Sequence, residues 1–345
     1  MLSLGSLRLW VAVVSTLALV ADAADTSPAN APRTAVRQIA FAVHHGDGDA
    51  PWDIYVVRTD GRWVVKKTTK GLDEDDPVWS PDGRHIAFDG WTIPGGADTS
   101  IYTMNPDGTH RRRIARGYGP QWSPDGRRIA YDGSDGVYVI NVDGTGKKRV
   151  ARGGGPRWSP DGKQIAFTHE PGDVYVVNPF GGGERRVTRT GGESRTEAWA
   201  PGRKIVFSHS ATTGGPVRPA SGIYIINADG SALRRVPRTN DGGTFAYGWS
   251  PDGKLLLYVV TPHGILTWRP SDGSVRRLTR SSADGYPVWD RRGRVIAFAR
   301  NGLPRTRGIW TVNRDGSKAR RVAAAPNPYR FGGPNLYSAP SWAPR

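Results

Sequence analysis

Across 345 residues the chain carries 48 Lys and Arg against 31 Asp and Glu, a formal charge of +17, and no cysteine. The missing thiols exclude a disulfide framework, a thiolate nucleophile and a lipidated N-terminal cysteine. The basic excess raises nucleic acid, acidic polysaccharide or an anionic surface as classes of partner.

Residues 1–23 begin with a charged stretch containing Arg8, continue through an apolar run from Leu9 to Val20 and close on Ala21-Asp22-Ala23. That order is the pattern of a secretory signal peptide, and the apolar run is short for a membrane span. The expectation is cleavage near Ala23 and export, periplasmic or extracellular, with an uncleaved anchor as the alternative. Residues 24–36, rich in Ala, Pro and Thr, read as a linker. Beyond the leader no segment is a transmembrane candidate, so the mature chain is expected to be a soluble monomer with residues 37–345 as one domain.

From residue 37 onward the sequence repeats itself. Trp-Ser-Pro-Asp-Gly stands at 79–83, 122–126, 158–162 and 249–253, and decayed copies place further tryptophans at Trp199, Trp289 and Trp342. Their mean spacing of roughly 44 residues is that of one propeller blade. An Ile-Ala-Phe-like triplet accompanies them at 39–41, 86–88, 129–131, 165–167, 205–207, 256–258 and 296–298. Each unit adds an Ile-Tyr run and an Arg-rich run joined by turns such as Asp143-Gly144, which supply positive φ at low cost. A unit therefore reads as four antiparallel strands: A at the tryptophan, B at the triplet, C at the Ile-Tyr run and D at the arginines. One such sheet cannot bury both faces, whereas a ring of them can.

The repeat enters at strand B, Ile39-Ala40-Phe41, and leaves after strand A, Ser341-Trp342. The expected fold is all-β, a seven-bladed propeller closed by pairing of that last strand A with the first strands B to D. A six-bladed ring is the alternative and leaves one repeat unplaced. The succession Trp-Ser-Pro-Asp-Gly, Ile-Ala-Phe, Ile-Tyr, Asp-Gly and Arg-Arg over about residues 37–345 resembles the TolB-type propeller repeat. The resemblance implies the fold and leaves activity open, because family members include scaffolds, sugar-active enzymes and propellers attached to serine peptidases.

Basic residues recur in strand D of every unit, among them Arg111 to Arg113, Arg234-Arg235 and Arg320-Arg321. Charge on an outermost strand guards it against edge-to-edge pairing, and binding of a polyanion is the alternative role. Aromatics do not interleave with these arginines, which argues against nucleic acid.

The A–B and C–D turns are uniform and share one face of the ring. The B–C loops and D–A connections vary and share the other, so that face and the channel mouth are the candidate site. His169 and His209 occupy the same register in adjacent units and could share a ligand or a divalent metal. Some pectin-fragment lyases with similar repeats look like propellers with a histidine-bound metal, but no standard ligand spacing appears here, and no cofactor is expected. Asp76, Gln121, Arg157 and Glu197 stand just before tryptophans, at the channel mouth. Trp52, Trp91, Tyr247 and Tyr286 offer aromatic contact surface on the variable face.

No G-x-S-x-G pentad is present, which argues against a serine hydrolase. The leading expectation is an exported scaffold that binds a protein or cell-envelope component through the variable face, without a buried, pKa-shifted group. The alternative is a metal-assisted polysaccharide lyase or another sugar-active enzyme, drawing its acid and base from Asp76, Glu197, His169 and His209.

Overall fold

A computed structural model describes residues 37–44, 52–60, 64–66, 72–92, 98–169, 172–211, 220–239, 244–303, 305–324, 336–337 and 341–342. The expected signal peptide and linker, 1–23 and 24–36, lie outside them. Every regular element among the described residues is a strand. Six sheets have four antiparallel strands in chain order, spanning 72–116, 118–151, 154–186, 193–235, 244–277 and 284–324, and form blades one to six.

The expectation of seven four-stranded blades is therefore corrected to six. The repeat copy shared by the two ends of the ring forms a sheet of another kind. It has five strands: Gln38–His44, Trp52–Arg58 and Val64–Lys66 from one end, Leu336–Tyr337 and Ser341–Trp342 from the other. The place held by a single strand A in a blade is divided here between two strands of two residues. Both run antiparallel to Gln38–His44, with Val43 opposite Tyr337 and Ile39 opposite Trp342. Ser338, Ala339 and Pro340 separate them in sequence. This closing sheet lies between blades six and one. Phe41 and Val57 share a core with Val288 and Ile309 of blade six, and Ala40 and Val56 share one with Trp79 and Phe88 of blade one.

The repeated residues earn their places at the blade junctions. Within each triplet the two outer side chains face one neighbour and the middle one, most often alanine, faces the other, following strand alternation. Ile86 and Phe88 enter one core while Ala87 enters the next, beside Trp122. Ala130 meets Trp158 and Ala166 meets Trp199 in the same way. Each of these tryptophans also donates its indole N–H to the preceding blade: Trp122 to Val78 O (3.1 Å), Trp158 to Gln121 O (3.1 Å) and Trp199 to Arg157 O (2.8 Å). In the Ser-Pro-Asp-Gly turn, Ser80 Oγ donates to Asp82 Oδ1 at 2.6 Å and accepts the His85 N–H at 2.9 Å, and Gly83 takes a φ of 71°.

Strand-D arginines do more than shield an edge. Arg112 donates to Val142 O and Arg185 to Ala228 O, each across a blade junction. Arg234 reaches Pro270 O (3.2 Å), Arg276 reaches Asp315 O (3.2 Å), and Arg320 reaches Thr59 O of the closing sheet (2.7 Å). These five arginines thus join neighbouring blades.

Candidate functional site

Strand A is the innermost strand of each blade, and in all six it breaks register just before the tryptophan, as between Asp75 and Val78 and between Gly285 and Val288. Such a bulge re-aims the side chains around it. The third residue before the tryptophan takes a left-handed φ in four blades: Asp76 at 49°, Gly119 at 67°, Gly155 at 66° and Tyr286 at 54°. Glycine holds that conformation without strain, whereas Asp76 and Tyr286 adopt it against the preference of an L side chain.

In blades one to three the residue after the triplet caps the bulge of the next blade. Asp89 accepts the Gly119 N–H with both oxygens at 3.0 Å, Asp132 Oδ1 accepts that of Gly155 at 2.8 Å, and Thr168 Oγ1 accepts that of Thr196 at 3.1 Å. Carboxylates are thereby drawn inward from strand B to meet those of strand A. Asp75, Asp89 and Asp132 are buried, and Asp76 is half-buried.

Two arginines answer this negative charge. Arg157 is 2% exposed, yet its hydrogen bonds go to carbonyls, from Nε to Glu197 O and from Nη1 to Pro156 O, both at 2.9 Å. Glu197 Oε1 instead accepts the Ser208 hydroxyl at 2.8 Å. Burial pushes the Asp76 carboxyl well above the usual range, the charges of Asp75 and Asp89 push it further, and Arg157 and Arg195 oppose them. Asp89 is likewise raised, first by burial, against the pull of the Gly119 N–H. Burial carries Asp132 up to about 6 and Arg157 down to about 10. Tyr247 and Tyr286 are raised by burial too, and their rings meet edge-to-face at 6.3 Å.

Of the residues singled out in sequence, Asp76, Arg157, Glu197, Tyr247 and Tyr286 belong to this one electrostatic cluster. Gln121 is buried in the same inner strand set, its amide donating to Pro120 O at 2.9 Å. Trp52 and Trp91 lie elsewhere, meeting at Asp73, which accepts the Trp52 backbone N–H and a hydrogen bond from Trp91. His169 and His209 each lie edge-on to a tyrosine of their own blade, Tyr175 and Tyr224. His209 is buried with Nδ1 3.1 Å from Ser194 Oγ. Among the described residues, no group of three His, Cys, Asp or Glu is placed to hold a metal.

Asp89, Asp132 and Arg195 escape the sequence reading. Their signal is positional: Phe88-Asp89 and Tyr131-Asp132 put acids in one register of adjacent units, and Arg195 sits four residues before Trp199. The same stretch shows where the repeat departs from itself. Two residues before the tryptophan stand Pro77, Pro120, Pro156 and Pro287 in four blades, but Glu197 and Tyr247 in the other two.

The TolB beta propeller domain model matches residues 117–344. No curated protein matches the chain in sequence. Among solved structures, TolB from Acinetobacter baumannii superposes with a TM-score of 0.54 at 19% identity, over 90% of this chain and 67% of that one. An oligogalacturonate lyase in complex with manganese gives 0.60 at 15% identity, over 86% and 88%. The beta-propeller domain of the Trilobed protease from Pyrococcus furiosus gives 0.57 at 14% identity, over 84% and 95%. At these identities the likeness is one of fold.

Proposed function

We propose, because this chain belongs to the TolB beta propeller domain family, that it is an exported scaffold binding a protein or cell-envelope component at its channel mouth. The observation that carries this reading is the pair Asp76 and Tyr286. Both stand in a left-handed bulge position that blades two and three fill with glycine, so an ionisable and an aromatic side chain are held at the mouth against local strain. Exposed Tyr118 and Phe245, each four residues before a tryptophan, add aromatic surface next to the charged cluster. The test is capture from envelope extract by the purified chain and by a double variant, Asp76→Gly with Tyr286→Gly. The wild type should retain a component that the double variant loses while its far-UV spectrum is kept; equal retention would overturn the reading.

A second reading, a sugar-active enzyme, is favoured by one observation: buried Asp89 and Asp132 and half-buried Asp76 are pKa-shifted acids that pure binding does not require. A carboxyl near 6, as at Asp132, suits general acid–base work near neutral pH. The described histidines and acids do not fit a metal site, so no step is assigned to one. Incubation with oligogalacturonate and other acidic oligosaccharides tests this reading, which requires product formation that Asp132→Asn slows.

A further inference from the structure

The uniform-turn face holds a cleft of about 760 Å³ between blades five and six, remote in role from the channel mouth. That volume is in the range of small-molecule sites. Four guanidinium groups line it, Arg269, Arg276, Arg294 and Arg314, together with Asp272 and Asp315.

Most of this charge is already matched. Arg314 Nη1 bonds Asp252 Oδ2 at 2.8 Å, Arg269 bonds Asp272 at 3.1 Å, and Arg276 donates to the Asp315 carbonyl with that residue's carboxylate nearby. Three carboxylates thus answer four guanidinium groups. Arg294 is the remainder: it is exposed, and among the described residues its guanidinium has no hydrogen-bond or ion-pair partner.

The sequence explains why this junction differs. In four blades the A–B turn carries a carboxylate that receives local backbone N–H groups: Asp82, Asp125, Asp161 and Asp252. Blade six has Arg292 at that position, and Asp290 takes over the backbone bonds from Arg294 N (2.6 Å) and Val295 N (2.7 Å). Exchange of a carboxylate for an arginine leaves the turn intact and removes a negative charge from the turn that carries Arg294. Guanidinium forks match carboxylate and phosphate oxygens in pairs.

We propose that this cleft is an anion site for a small molecule bearing a phosphate or carboxylate group, held by Arg294 with Arg276 and Arg269 at its edges. The proposal stands apart from the channel-mouth reading. Isothermal titration of the full chain at low ionic strength tests it, with inorganic pyrophosphate and citrate as probes. One equivalent of either should bind, with affinity that falls as salt is added, falls at least tenfold in Arg294→Glu and falls less in Arg294→Lys. Arg127→Glu alters the repeat-equivalent position in blade two and should change nothing. Binding of pyrophosphate alone would assign the site to phosphate, and of citrate alone to carboxylate; either supports the proposal. No binding of either probe, or equal loss in Arg127→Glu, would overturn it, and an unchanged unfolding midpoint of Arg294→Glu guards against a folding defect.

Discussion

Asp132→Asn offers a stability change whose size and pH window both come from the geometry. The Asn carbonyl can still accept the Gly155 N–H that Asp132 Oδ1 takes at 2.8 Å, so the cap on the neighbouring bulge is kept. What is removed is a buried negative charge. Burial lifts this carboxyl from 3.8 to about 6, so between those values the folded chain holds a proton that the unfolded chain has released. Stability conferred by that proton is present at acid pH and is lost as pH rises towards 6. A rise of that size corresponds to about 3 kcal/mol as an upper bound. The Asn variant should match the wild type near pH 4 and exceed it by up to about 3 kcal/mol near pH 7. Urea unfolding at the two pH values reads this directly. An equal difference at both, or a gain confined to acid, would refute the account of Asp132 as a charge buried at a cost.

Asp76→Gly should raise stability by about 1 kcal/mol, because glycine takes the left-handed φ without the side-chain clash, and thermal unfolding checks it. Trp158→Phe removes the indole N–H bond to Gln121 O and part of a buried ring, so a loss of about 2 kcal/mol in chemical unfolding is expected. Metal analysis of the purified chain should find no stoichiometric ion dependent on His169 and His209; an ion lost on their replacement by alanine would contradict the placement of those rings within their own blades.

The repeat was the most legible part of the chain because its tryptophans, triplets and turns serve contacts that recur at each junction. Trp122, Trp158 and Trp199 make the same bond to the same kind of carbonyl, so the same residue is needed each time. Blade number was less legible. Trp342 and Ile39-Ala40-Phe41 count as repeat signals, yet they join in a five-stranded sheet whose innermost position is split, a property of pairing that spacing does not express. The site was half legible. Asp76, Arg157 and Glu197 stand out just before tryptophans, whereas Asp89 and Asp132 hide behind triplets that look purely structural. Thr168 and Ser208, beside His169 and His209, are the residues that strand alternation turns towards the inner strands. The role of the strand-D arginines depends on how far one blade reaches across to the next, and composition alone shows only their charge.

The most direct test of the channel-mouth account is site-specific photocrosslinking from position 118, where the exposed tyrosine can be replaced by a photoreactive phenylalanine. The expected result is one defined adduct with an envelope protein or polymer, abolished when Asp76 and Tyr286 are both glycine. An adduct that persists in that background, or that forms equally from a probe at position 127 on the opposite face, would contradict the central claim.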